Sequence, residues 1–172
     1  MSALEVVTGE DGKCTQGGDQ PSVGDATRAL TLPHLPYADA IHRALTSAGL
    51  LPDQVIAGRR VGGADYHQGP RELVIRLEWW PGHKDLVAGH RKTAGIALEW
   101  SHLAGWSLEL GADVVHLDVD DIAAPEVLAE AVLEAAVEDD PATWTPPPDA
   151  PRWQYALELD IALVHYAERG PQ

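Results

Sequence analysis

Glu126, Glu130, Glu134 and Glu138 stand four residues apart and run into Asp139-Asp140. In a helix this spacing gathers carboxylates on one side, where each like-charged pair costs about 0.2–0.5 kcal/mol and the acids nearest the C-terminus oppose the helix dipole. Such a row suits a docking face for an Arg- or Lys-rich partner, and it equally suits a helix face that only stays in water. These six residues are the candidate partner-binding set. The chain carries 27 Asp and Glu against 12 Lys and Arg, a net charge of −15, and the excess is local. No Lys or Arg lies between Lys92 and Arg152, where thirteen of the acids fall. That half repels a nucleic-acid backbone, so a basic protein is the expected partner and direct nucleic-acid binding is not expected. A DNA mimic, occupying the nucleic-acid site of another protein, is a special form of this reading.

Trp80, His83 and His90 form a second candidate set, for a small ligand. Trp80 follows Trp79 on an alternating stretch, so the two rings point to opposite faces; if Trp79 is core, Trp80 sits beside Pro81, Gly82 and His83 on the other side. His83, Asp85 and His90 share a loop, but no H-E-x-x-H or comparable spacing occurs, and neither a metal nor a cofactor is expected. His116, Asp118 and Asp120 would share one strand face at ~6.5–7 Å intervals, so one ion could reach two of them but hardly three; solvent-facing alternation is the simpler reading.

Nucleophile searches end without a catalytic residue. Ser101 and His102 are adjacent on a strand and point apart, and no G-x-S-x-G occurs. GEDGKCT is superficially like a phosphate loop, yet its spacing breaks before Gly12 and Cys14 stands where Ser or Thr is required. Arg59-Arg60, in a Gly-rich stretch, could meet a phosphate.

These residues need elements to position them. Tyr37, Ile41, Ala44, Leu45 and Ala48 fall at helical spacing, with Pro36 suited to the first turn and Gly49 to the C′ position, which predicts a helix over 37–48. After a Gly- and Arg-rich connection, RELVIRLEWW alternates Leu73, Ile75, Leu77 and Trp79 against Glu72, Arg76 and Glu78, a half-buried strand. PGHKDLVAGHRKT reads as a loop. Ile96, Leu98 and Trp100, then Trp106, Leu108 and Leu110, alternate on either side of a turn at Leu103-Ala104-Gly105, a β-hairpin. VVHLDVDD offers another strand, and Pro125 opens a helix over about 125–138 with Leu128, Val132 and Ala135 on its inner stripe. The last segment fits both periods. Trp153, Leu157, Ile161 and Val164 match a helix, and length with the closing Gly170-Pro171 favours that choice.

The expected architecture is α+β: an antiparallel sheet of about 3–5 strands with helices packed on one face. Residues 1–34 read as a flexible N-terminal tail, and 35–172 as a single domain in which a Pro-rich connector, 141–151, leads to the C-terminal segment. No apolar run is long enough to span a membrane, and MSALEVVTGEDGK has neither the basic nor the apolar part of a secretory signal, so the cytoplasm is the expected compartment. The single cysteine, Cys14, excludes an intrachain disulfide and a Cys-ligated zinc or iron–sulfur site. Six Trp stand where a chain without Phe must use other large residues to fill its core.

The order of helix, strand, hairpin with Leu98-Glu99-Trp100 and Gly105-Trp106, and then Pro125 with an Ala/Val/Leu helix resembles a family of small uncharacterised actinobacterial proteins. There an amphipathic helix precedes a Leu-x-Trp…Gly-Trp hairpin and a closing helix. The likeness spans roughly residues 37–138 and implies the α+β fold and the source; that family has no established activity, so it implies no mechanism. This chain differs in its longer tail and in the added 141–172 segment.

Three functions follow as expectations. The first is a non-catalytic protein-binding accessory or regulatory domain with an acidic surface for a basic partner. The second is a small-ligand-binding protein or enzyme that uses the loop histidines and the Trp80 surface. The third is a structural oligomer, with Trp80 and the C-terminal segment at a self-interface.

Overall fold

The alternating strands pair into a five-stranded antiparallel meander in the order β1-β2-β3-β4-β5. In the computed structural model the described residues are 32–61, 71–87, 89–138 and 144–168. Over these, α1 is Leu35–Ser47, β1 Gln54–Val61, β2 Arg71–Trp79, α2 Gly89–Ala94, β3 Ile96–Ser101, β4 Gly105–Leu110, β5 Asp113–His116, α3 Pro125–Val137 and α4 Ala156–Glu168. The α+β class and the antiparallel sheet are as the alternation predicts.

Register explains which side is core. Leu77 lies opposite Leu98, which lies opposite Leu108; Ile75, Trp100 and Trp106 form the next rung. Strand pleating sends all six to one face, where they are buried. Helices α1 and α3 cover that face. Tyr37 of α1 presents its ring edge-on to both Trp100 and Trp106 at about 6 Å, and Leu128, Val132 and Ala135 of α3 enter the same core, as their spacing predicts. Gly49, just past the end of α1, has φ +84°, the left-handed conformation expected of a helix C′ residue.

Four stretches differ from the expectation. Gln54–Val61, read as a connection, is edge strand β1; Val55 and Ile56 are adjacent and both largely exposed, so no alternation marks it. A six-residue helix, α2, interrupts the predicted loop at 89–94; it is too short for a period, and Arg91 within it is buried. β5 stops at His116, so Asp118 and Asp120 are not on a strand. His34, the last residue of the presumed tail, is fully buried: its Nε2–H donates to the Val74 carbonyl at 3.1 Å and its ring lies 5.9 Å from that of Trp100.

The C-terminal segment is helical, with an unexpected face inward. Trp153 is still extended, its N–H donating to Ile122 O at 2.9 Å beside a bridge between Ala123 and Arg152. In α4 the buried residues are Ala156 and Leu159, with Leu163 and Tyr166 packed against the core. Leu157, Ile161 and Val164, the stripe that spacing would send inward, are each more than half exposed.

Candidate functional site

Helix α3 is fixed at both ends. Pro125 begins it after Ala124, whose backbone is extended, and the Tyr37 hydroxyl donates to Ala123 O at 2.6 Å, tying its start to α1. Trp100 Nε1–H donates to Asp121 O at 2.7 Å, and Asp120 accepts from the Ile122 amide and from Arg152. At the far end the Val87 amide donates to Ala136 O. With the inner residues committed to the core, the solvent face is Glu126, Glu130, Leu133, Glu134, Val137 and the C-cap Glu138. Leu133 is 44% exposed and Val137 48%. The helix contains no Lys or Arg, and among the described residues no ion pair reaches any of the four glutamates. Asp139 and Asp140 lie outside the described residues.

The four glutamates do not form a straight line. Positions four apart advance by about 40° round a helix, so the row spirals across the face. Glu126 and Glu130 border a groove of about 780 Å³ between α3 and α1, floored by Ala44, Ala129 and Trp153, with Arg43 on its opposite wall. Glu134 borders a cleft of about 420 Å³ on the other side of α3, towards β4, β5 and the Pro146–Pro148 stretch.

The far face of the sheet holds an ion-pair lattice that the sequence reading did not assemble. Arg60 reaches Glu72 at 2.9 Å and Glu99 at 2.7 Å. Arg76 contacts Glu78, Glu99 and Glu109 at 2.6–2.8 Å. The guanidinium of Arg60, with the Ser101 hydroxyl, holds Glu72 below the usual carboxylate range, and that of Arg76 does the same for Glu109. Arg60 is therefore occupied by carboxylates rather than set to meet a phosphate. The alternation signals the charged face; apart from Glu78, on Arg76's own strand, the partners lie 12 to 39 residues apart in the chain, and only the register brings them together.

The other candidate residues have structural partners. Trp80 is half exposed; its amide donates to Asp53 Oδ2 at 2.7 Å and its indole N–H lies 3.4 Å from Glu78. His83 is nearly buried. Its Nδ1 accepts from the Asp85 amide at 3.3 Å, and its Nε2 lies 4.0 Å from Asp53 Oδ1. His90 falls on α2, and its side chain is outside the described set. Neither the groove nor the cleft is lined by Trp80 or His83.

Ser101 and His102 act on different atoms. The Ser101 hydroxyl donates to Glu72 and accepts from the Leu103 and Ala104 amides, while His102 Nδ1 accepts from the Leu73 amide at 3.0 Å. His116 and Asp118 both border the cleft, whereas Asp120 serves the turn before α3. Among the described residues no three His, Cys, Asp or Glu side chains converge on a metal position.

Among the described residues no helix is long and apolar enough to cross a membrane. Compared with protein-family models, curated proteins and solved structures, the chain matches none.

Proposed function

We propose that the protein is a non-catalytic binding domain of the cytoplasm whose α3 face docks a basic partner. One observation carries the reading: four glutamates share the exposed side of α3 with Leu133 and Val137, on a helix that is held at both ends and contains no Lys or Arg. An apolar patch flanked by charge is a common plan of an interface, where the apolar contact supplies much of the affinity and the charges set association rate and partner choice. The complementary surface is a segment with an apolar side chain flanked by Lys or Arg. Arg60, Arg76 and Arg152 are each bonded to two or more other carboxylates, and Arg43, across the groove from Glu126 and Glu130, donates to the Asp39 carbonyl. The commitment of Ser101 and His102 to separate structural bonds also favours binding over catalysis.

Affinity capture with the wild-type chain and with E126K/E130K/E134K tests this. The expected result is a protein retained only by the wild type, released by salt, and cross-linked to α3 through a basic segment. Equal retention by both baits, or cross-links that map away from α3, would overturn it.

A further inference from the structure

We propose that the cleft between α3, β5 and the Pro146–Pro148 stretch is a binding site for a small organic cation with an apolar body, such as an aryl-alkyl ammonium. At about 420 Å³ it falls in the range of small-molecule sites, roughly 300–1,000 Å³, and far exceeds the space of one partner side chain. Its floor is apolar, from Leu108, Leu110 and Val115. Trp144 stands in its wall, and Asp118 and Glu134 stand at its exposed rim, one on each side.

Each part narrows the ligand. Two carboxylates, with no Lys or Arg in the lining, favour positive charge over anions. Their placement on the rim, with no three ligating side chains converging, does not suit a metal ion, whose charge must be enclosed by several oxygens or nitrogens at close range. An indole face attracts ammonium groups through its quadrupole and stacks on flat apolar bodies. The apolar floor then requires that most of the ligand be hydrocarbon, so a bare polyamine fits less well than an ammonium on an aromatic or branched body. Thr145 and His116 add hydrogen-bonding groups at the same mouth. This site is distinct from the docking face: only Glu134 belongs to both.

The test is titration calorimetry of the full chain with tryptamine and with tryptophol, its neutral counterpart of the same shape; tetraethylammonium and phenethylammonium serve as further probes. The expected result is saturable 1:1 binding of tryptamine, tighter than that of tryptophol by at least about tenfold. D118N/E134Q should erase the difference between the two probes. W144A should abolish binding and W144F should restore part of it, with thermal unfolding checked for each variant. Equal affinity for tryptamine and tryptophol, binding unaffected in W144A, or no binding of any cationic probe at concentrations of about 1 mM would each overturn the proposal. E126K/E130K, which alters the docking face but leaves the cleft intact, should bind tryptamine as the wild type does, so the two proposals fail separately.

Discussion

Arg76 holds Glu109 through two parallel hydrogen bonds, Nη1 to Oε1 at 2.7 Å and Nη2 to Oε2 at 2.6 Å, across the intervening strand β3. On the way it also meets Glu99 of β3 and Glu78 of its own strand. A single cation thus joins three of the five strands from the face opposite the helices. Isolated surface pairs contribute about 0–1 kcal/mol, but removing this centre leaves three carboxylates facing one another.

Arg76→Leu is therefore expected to lower stability by about 1–2 kcal/mol at neutral pH, read from the urea midpoint. Glu109 is depressed by Arg76, so this contribution is present above the ordinary carboxylate range and is lost as pH falls through the folded-state value. The variant and the wild type should converge once the pH has fallen below the folded-state value, where Glu109 is protonated in both. A gap that stays constant into acid would contradict the assignment.

His34 gives a pH dependence in a different window. Burial pushes its pKa down from 6.5 to about 4, against the pull of the Val74 carbonyl, and nearby His102 adds to the lowering. The unfolded chain binds a proton that the folded chain refuses, so stability is complete above about 6.5 and falls as pH drops towards 4, by as much as ~3 kcal/mol. His34→Gln, which keeps an N–H for Val74 O, should flatten the stability profile between pH 6.5 and 4. Parallel profiles for the two proteins would count against it.

Two glycines separate conformation from collision. Gly49 has φ +84° and open space where a Cβ would stand, so Gly49→Ala should cost about 1 kcal/mol from backbone conformation alone. Gly95 has φ +76°, and a Cβ there would lie 2.6 Å from the Trp79 carbonyl oxygen and 3.2 Å from Pro81. Gly95→Ala should cost clearly more, about 2–4 kcal/mol, because the β2 end and the α2–β3 link must part to admit it. Similar thermal unfolding of the two variants would refute this distinction.

What the sequence made legible follows from where each residue's environment originates. Leu73 to Trp79 and Trp106 to Leu110 are half-buried strands, so their alternation is a direct imprint of the core and can be read without a structure. Strand β1 is an edge with both Val55 and Ile56 exposed, and a strand that buries little leaves little pattern. The stripe Leu157, Ile161 and Val164 misleads for the converse reason: it is apolar at helical spacing, yet the inner face of α4 is made by Ala156, Leu159, Leu163 and Tyr166. The glutamate row was legible as spacing; its division between a groove and a cleft required the neighbours of α3. The cleft itself was not legible, since Leu108, Asp118, Glu134 and Trp144 come from four separate stretches of chain.

The docking role of α3 depends on its charges carrying the interaction. The most direct measurement is a charge-swap cycle with the captured partner: dissociation constants for wild-type and E126K/E130K/E134K chains, each against the partner and against a partner with its contacting Lys and Arg changed to Glu. The expected result is that either reversal alone weakens binding by at least about tenfold, and that the two together recover most of the loss. Dissociation constants insensitive to the reversal, or losses from the two sides that simply add, would contradict it.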